Sequence, residues 1–294
     1  MLTILHGSDL HFGKPHDPDA AEAFLGSVRA VAPDLLVLSG DFTQRAKVRE
    51  YREAAEFLER LPEGLPRVVT HGNHDVPLYR VLERLFRPYR NYRKWIAPEL
   101  DQVTKVPGAV VVSLNSTAPL RAIVNGRLDD TQLAFARNAF REAPETDVRI
   151  VVLHHHLAPA PDYEGDRPVP RAPAILEELK AMGVEMVLGG HLHRAYIGNS
   201  LDVYPGEDRE RGVVIVQSGT TTSRRGRARE RAKNSFNVIR VTEDRLEVVH
   251  HMYFRKKGGF APLGLHVYPR WRAGHLDPAL VSAFASMEEV EQAP

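Results

Sequence analysis

Side chains that can bind metal ions recur along the chain, each group just after a short apolar stretch. Asp9 and His11 follow residues 2–5, and Asp41 follows residues 35–38. The complete set of candidates is Asp9, His11, Asp41, Asn73, His154, His191 and His193. A single histidine near a strand end is more often structural, but seven such residues in this pattern favour a metal site. Carboxylate, amide and imidazole ligands suit Mn²⁺, Fe²⁺, Co²⁺ and Zn²⁺.

The positions of these residues predict that their side chains meet at one edge of the structure, because each candidate follows the end of a strand. Asp9 and His11 are two residues apart, so an extended backbone would direct both side chains to the same face. The same holds for His191 and His193. Glycine allows sharp turns and close approach to a ligand, and it flanks the candidates at Gly7, Gly40, Gly72, Gly189 and Gly190.

Short apolar runs alternate with amphipathic stretches through the first half of the chain, which is typical of βαβ units. The predicted helices span 19–32, 47–61, 131–142 and 173–182, and Asp129 or Asp130 is the expected N-cap of the third. The predicted strands span 2–5, 35–38, 67–70, 109–114, 149–153, 185–188, 212–217, 236–241 and 246–253. The pattern predicts an α/β fold of two mixed β-sheets packed face to face, with helices outside.

The length of the chain falls between that of one large domain and that of two ordinary ones. With 294 residues, 43% of them hydrophobic, the chain can bury a large core. We expect a domain over residues 1–275, with a helical cap segment over 77–95 beside the site, a mobile basic loop over 220–233 and a polar tail over 276–294. There is no membrane-spanning apolar run and no signal-peptide pattern, so a cytoplasmic location is expected. Formation of a homo-oligomer stays open.

The cysteine count and the charge balance exclude other chemistries. Without cysteine there is no disulfide, no thiolate metal site and no cysteine nucleophile. The 39 basic residues nearly match the 38 acidic ones, and the resulting net charge of +1 argues against general nucleic-acid binding. The expected partner is a small molecule.

Five short blocks of sequence resemble, in the same order, those of the calcineurin-like metallophosphoesterase superfamily. They are Gly7-Ser8-Asp9-Leu10-His11, Gly40-Asp41, Gly72-Asn73-His74-Asp75, His154-His155 and Gly190-His191-Leu192-His193. The resemblance covers roughly residues 1–255 and implies a four-layer αββα sandwich. Within the superfamily, residues 8–13 and 40–43 look most like bacterial class III cyclic-nucleotide phosphodiesterases and their glycerophosphodiesterase relatives.

The resemblance also implies a binuclear metal centre bridged by Asp41. One ion is bound by Asp9, His11, Asp41 and His193, and the other by Asp41, Asn73, His154 and His191. Two cations about 4 Å apart can clamp a phosphate and lower the pKa of a bridging water, which makes hydroxide for in-line attack. Manganese or iron is favoured, with zinc or cobalt as alternatives.

The implied catalytic residue is His74, which follows the ligand Asn73. By resemblance it contacts the phosphate and stabilises or protonates the leaving oxygen. Asp75 is a candidate to orient its ring.

Other site assignments leave alternatives open. Of the triplet His154, His155 and His156, the first directly follows a predicted strand and is chosen as the ligand, whereas His155 could line the substrate pocket. Arg45 could reach a substrate phosphate or simply begin the next helix in solvent. The arginine-rich stretch 224–233 could close over an anionic substrate, although charge runs are usually solvated.

The predicted activity is hydrolysis of a small phosphodiester, such as a cyclic nucleotide or a glycerophosphodiester. The alternatives are a phosphomonoesterase or a nuclease on the same fold, and a non-catalytic scaffold for protein interactions. The full ligand set and His74 argue against the scaffold. The nuclease is disfavoured because a basic duplex-binding face and long appended helices are not evident in the sequence.

Overall fold

Two six-stranded sheets form the centre of the molecule. The computed structural model describes residues 1–120, 124–159, 167–204, 212–227, 230–231 and 233–270. The first sheet contains β1 (Leu2–Gly7), β2 (Leu35–Leu38), β3 (Arg67–Val69), β10 (Ser235–Val241), β11 (Arg245–Phe254) and β12 (Gly259–Pro269). Its strand order is β12-β11-β10-β1-β2-β3. Strand β1 pairs in parallel with β2 and antiparallel with β10, so the sheet is mixed.

The second sheet contains β4 (Gln102–Val106), β5 (Ala109–Ser113), β6 (Val148–Val152), β7 (Met186–Gly189), β8 (Tyr196–Asn199) and β9 (Val214–Gln217). Its order is β4-β5-β6-β7-β9-β8, and it is also mixed because both edge strands run antiparallel to their neighbours. The helices are α1 (Pro18–Val31), α2 (Val48–Glu59), α3 (Val81–Phe86), α4 (Arg90–Trp95), α5 (Asp130–Arg141) and α6 (Ala172–Ala181).

Three apolar clusters hold four layers together. Because side chains alternate along a strand, Ile4 packs between the two sheets while Leu5 packs beneath α1 and α2. In the second sheet Val111 lies between the sheets and Val112 packs towards α5 and α6. The predicted fold of two face-to-face mixed sheets with helices outside is therefore confirmed.

The long helices lie where the sequence predicts them, to within two residues at each end. The choice between two N-caps for α5 falls to Asp129, whose carboxylate accepts a hydrogen bond from the Gln132 N–H at 3.0 Å. The sequence missed β4, β8 and β12, which lie at the edges of their sheets. These strands are largely half-exposed or exposed, and β12 also contains Pro262 and Gly264. They therefore lack the apolar run that marks an interior strand.

The segment predicted as a helical cap, 77–95, contains the short helices α3 and α4. No residue of α3 is buried, and α4 buries Tyr92 alone. The Tyr92 ring lies 6.2 Å from that of Phe42 and 4.7 Å from that of His71, which anchors α4 next to the loops that follow β2 and β3.

Within the described ranges, the helices are all too short or too polar to cross a membrane. The predicted tail, 276–294, lies outside the described residues.

Ile150 tests the core between the sheets, where its side chain is fully buried. We expect Ile150→Ala to lower the free energy of unfolding by about 2–5 kcal/mol, because the substitution loses apolar burial and leaves a cavity. Leu263→Ala, at a position 57% exposed on β12, is the control and should change it by less than about 0.5 kcal/mol. Urea unfolding followed by circular dichroism measures both, and equal losses would contradict the assignment of the core.

Candidate metal centre

The candidate ligands lie on loops that follow β1, β2, β3, β6 and β7, at the edge where the two sheets meet. Backbone hydrogen bonds join these loops directly. The Asp9 N–H donates to the Gly40 carbonyl at 3.0 Å, and the His11 N–H donates to the Asp41 carbonyl at 2.9 Å. Across the sheets, the His191 N–H donates to Asp9 Oδ2 at 3.0 Å. The positions of the ligands are thus set by contacts between loops.

At five of the seven ligands the backbone is left-handed, and the Asp9–His11 and His191–His193 segments are not extended as the sequence predicts. The φ angles are 56° at Asp9, 48° at His11, 54° at Asp41, 73° at His191 and 56° at His193. The expectation of an extended Asp9–His11 segment is therefore wrong, although the two side chains do converge. A non-glycine residue in this region costs about 1–3 kcal/mol, and such strain persists where the surrounding structure holds it.

One group of ligands surrounds the Asp9 carboxylate. Its Oδ1 lies 3.5 Å from His11 Nε2 and 3.2 Å from His193 Nε2, and the two imidazole nitrogens are 3.0 Å apart. Together with Asp41, these residues place one ligand atom each within 4.8 Å of all the others. All four are buried, and within the described residues Asp9 Oδ1 and Asp41 Oδ2 accept no hydrogen bond. Buried acceptor atoms aimed at a common point fit a bound cation.

A second group surrounds the Asn73 amide. Its Oδ1 lies 3.1 Å from His154 Nε2 and 2.9 Å from His191 Nδ1. Asp41 Oδ2 is 3.4 Å from His154 Nε2 and 3.6 Å from His11 Nε2, so it lies between the two groups. The structure thus brings all seven predicted ligands together, in two groups that share Asp41. This donor set fits two divalent cations.

The site is strongly polarised. Burial acts to raise the pKa of Asp41, but the neighbouring His154 and His74 outweigh it and hold that pKa well below its usual range. Burial acts in the opposite direction at His154, where the Asp41 charge prevails and raises the pKa to about 9. At His11 burial prevails and lowers the pKa to about 4. The shared carboxylate therefore favours positive charge next to it, and divalent cations would supply such charge.

The histidine triplet is sorted by its hydrogen bonds. His154 Nδ1 donates to the Ser39 carbonyl at 2.8 Å, which leaves Nε2 facing the ligand cluster. His155 Nδ1 is instead 2.8 Å from Ser116 Oγ, and its ring lies behind His191 at 4.7 Å. His155 is fully buried and is not among the described residues that line the cleft above the ligands, so the structure does not support the candidate role of His155 in lining the substrate pocket.

His74 lies beside the ligand cluster and is oriented by Gln44. Its Nδ1 donates a hydrogen bond to the backbone carbonyl of Gln44 at 2.9 Å. Because a carbonyl can only accept, Nε2 is the ring nitrogen left for a ligand. Asp75 does not orient this ring, contrary to the prediction. Its carboxylate accepts hydrogen bonds from Thr43 N at 2.8 Å and Gly72 N at 3.0 Å, and so ties the two loops together. Burial and the Asp41 charge raise the pKa of Asp75 to about 7.

A cleft of about 400 Å³ opens above the ligands. Arg45, one of the open candidates, lines it, with its guanidinium 5.3 Å above the Tyr79 ring. Gln44, Arg225 and Arg227 also line it, and Arg225 Nη1 donates to Gln44 Oε1 at 3.0 Å. The arginine-rich run was the only sequence signal for these two arginines, and Gln44 had none.

The predicted mobile loop, 220–233, is not a wholly solvated segment. Thr220, Thr221, Thr222 and Ser223 are fully buried. The Thr221 N–H donates to the Ser8 carbonyl at 2.9 Å, and the Arg227 N–H donates to the His193 carbonyl at 3.0 Å. The described part of the loop is therefore bonded to ligand segments from both sheets, while 228, 229 and 232 lie outside the described residues.

The family described as calcineurin-like phosphoesterase matches residues 2–195. This chain belongs to that family. The match extends from before Asp9 to beyond His193, so it contains the whole candidate ligand set. The predicted resemblance to calcineurin-like phosphoesterases is confirmed.

Individual relatives of this calcineurin-like phosphoesterase agree with that assignment. The chain is 29% identical over 218 residues to a probable cyclic nucleotide phosphodiesterase of Synechococcus sp., covering 70% of this chain and 79% of the relative. Purple acid phosphatase from yellow lupin (Lupinus luteus) has a TM-score of 0.69 at 12% identity, over 92% of this chain and 54% of that chain. This chain therefore spans about half the length of the lupin protein. A dimetal phosphatase from Danio rerio has a TM-score of 0.61 at 12% identity, over 92% of this chain and 99% of its own. At these identities the two structures show the fold alone.

Gly72 tests how closely the loops must approach, since a Cβ at this position would overlap the Asp41 backbone nitrogen and carboxylate. Its φ of −105° suits alanine, so the clash and not backbone strain decides the effect. We expect Gly72→Ala to weaken Mn²⁺ binding by about 10- to 100-fold in calorimetric titration.

Gly26→Ala is the matched control, because its Cβ would meet no atom within 4 Å on α1. It should leave metal affinity unchanged and stabilise the helix by up to about 1 kcal/mol. Wild-type affinity in Gly72→Ala would contradict the predicted role of Asp41.

Proposed function

We propose that this protein is a phosphodiesterase that uses two divalent transition-metal ions, manganese or iron, to hydrolyse a small phosphodiester. The observation that carries the proposal is the position of Asp41 Oδ2, which lies within 3.6 Å of an imidazole nitrogen in each ligand group. One carboxylate shared by two sets of nitrogen and oxygen donors is the arrangement that a pair of cations requires.

When bound, the cations would supply Lewis-acid activation of water and of the phosphate. The chain's own residues supply the remaining chemistry. His74 is held by the Gln44 carbonyl with the proton on Nδ1, so its Nε2 can carry a second proton and donate it to the leaving oxygen. Arg45 and Arg225 line the same cleft and offset the charge of the phosphate oxygens.

Two observations support a small diester as the substrate. The cleft of about 400 Å³ matches the size of a phosphate and the groups next to it. The Synechococcus relative is named as a probable cyclic nucleotide phosphodiesterase and matches most of the chain. A phosphomonoesterase remains the second candidate, because the same donor set would serve either ester.

The first experiment compares bis(p-nitrophenyl) phosphate, p-nitrophenyl phosphate and cyclic AMP with metal-stripped protein reloaded separately with Mn²⁺, Fe²⁺, Zn²⁺ or Mg²⁺. We expect diester turnover that requires metal and exceeds turnover of the monoester. Preference for the monoester would instead identify a phosphatase. Absence of turnover with both metal sites filled, as judged by elemental analysis, would contradict an enzymatic role on these substrates.

His74→Ala tests proton transfer to the leaving group. With an alkyl diester such as cyclic AMP or thymidylyl-thymidine, whichever is turned over, kcat should fall by about 10²–10⁴-fold while metal content is retained. The fall should be smaller with bis(p-nitrophenyl) phosphate, because p-nitrophenolate leaves readily without a proton. His266→Ala, an exposed position on β12, is the control. Equal losses on the two classes of substrate would show that His74 does not act as the acid.

A further inference from the structure

A second cavity of about 670 Å³ adjoins the cleft. Five of the eight described residues that line it are cationic, namely Lys14, Arg45, Lys47, Arg49 and Arg225, and we call this cavity the basic groove. The chain as a whole carries nearly equal numbers of basic and acidic residues, 39 and 38. The excess of positive charge in the groove is therefore a local feature that the net charge does not reveal.

The acidic side chain in the groove already accepts hydrogen bonds from the protein backbone. Of the described residues that line the groove, Glu50 is the one acidic residue, and it is buried at the start of α2. Glu50 Oε2 accepts hydrogen bonds from the Arg45 N–H at 2.7 Å and the Lys47 N–H at 3.3 Å. Arg49 is paired with Glu53 on the surface at 3.4 Å. Among the described residues, Lys14 and Lys47 form no ion pair, so the groove can receive an anion.

The wall between the cleft and the basic groove is formed by Gln44, Arg45 and Arg225, which line both cavities. Gln44 contacts two neighbours. Its backbone carbonyl oxygen accepts a hydrogen bond from His74 Nδ1, and its side-chain Oε1 accepts one from Arg225 Nη1. His74 therefore lies against the wall of the groove. Because the cleft and the groove share this wall, a group attached to the scissile phosphate can extend from one cavity into the other.

We infer that the basic groove binds a second phosphate carried by the leaving group of the substrate. The inference rests on the proposed phosphodiesterase activity and specifies its substrate class. The substrate is a linear diester whose leaving alcohol bears another phosphate, and not a cyclic mononucleotide with its single phosphate at the metal centre. Water forms the new P–O bond, the P–O bond to the leaving oxygen breaks, and that oxygen takes the proton from His74. The products are a phosphate monoester and a phosphorylated alcohol.

The expected effect is large enough to measure. Hydrogen bonds between lysine or arginine and phosphate are among the stronger polar contacts, and each good one contributes about tenfold in affinity. Because the groove is open to solvent, the contribution should weaken as salt screens the charges.

The test measures kcat/KM for thymidylyl-thymidine and for the same dinucleotide with an added 5′-phosphate or an added 3′-phosphate, using the metal-loaded enzyme at low salt. We expect one phosphorylated form to exceed the parent by at least about tenfold, and this ratio to fall as salt rises. The form that is preferred identifies which end of the dinucleotide leaves.

Two variants assign the preference to the groove. Lys14→Ala/Lys47→Ala should bring the ratio of the preferred form to the parent close to one. Arg141→Ala is the control, because Arg141 is exposed at the end of α5 and lines neither cavity. It should keep the wild-type ratio. Circular dichroism verifies that both variants are folded.

The outcomes separate the two proposals. If the parent dinucleotide is hydrolysed and neither added phosphate improves kcat/KM, the second subsite is wrong and the phosphodiesterase assignment stands. A preference that persists in the double lysine variant also overturns the role of the groove. If no diester is hydrolysed with both metal sites filled, the phosphodiesterase assignment itself is contradicted, and the subsite with it.

Discussion

The site depends on the buried negative charge of Asp41. Its Oδ1 accepts a hydrogen bond from the backbone N–H of His74 at 2.8 Å, while its Oδ2 lies 3.6 Å from His11 Nε2 and 3.4 Å from His154 Nε2. An ionised carboxylate in a protein interior is costly unless opposite charge or hydrogen-bond donors reach it. The two ligand groups meet that requirement from opposite sides, with imidazoles and, in the proposed enzyme, with cations. The site therefore consists of two ligand groups that share one carboxylate.

The strained backbone around the ligands follows from the same requirement. Positive φ angles let the side chains of Asp9 and His11 converge although the two residues are only two positions apart. Hydrogen bonds between the loops stabilise this strained backbone. Gly72 allows the loop after β3 to lie against Asp41, where any Cβ would overlap. The apolar layers on both sides of each sheet offset these local costs, which is why the loops can keep an unfavourable conformation.

The metal ligands and the walls of the cleft have different physical roles. The ligands lie on loops at strand ends and are positioned by contacts between those loops, whereas the walls come from the segment around Gln44, the cap segment and the arginine-rich loop. Charge on these walls decides which groups beyond the scissile phosphate are tolerated. A net charge of +1 averages over the whole chain, so it carries no information about a groove in which five cations lie side by side.

Hydrophobic periodicity and glycine-flanked polar blocks are local signals, so the layered α/β architecture, the four long helices and the seven candidate ligands could be predicted from the sequence alone. It missed three edge strands, whose exposed residues carry no such signal. Four features became evident only in the tertiary structure: the left-handed backbone at five of the ligands, the burial of His155 behind them, the role of Asp75 as a tie between loops, and the position of Arg225 in the cleft. Each of these depends on contacts between distant segments, as when Arg225 meets Gln44 across 181 residues of sequence. Such contacts exist only once the two sheets have packed and brought their loops to one edge.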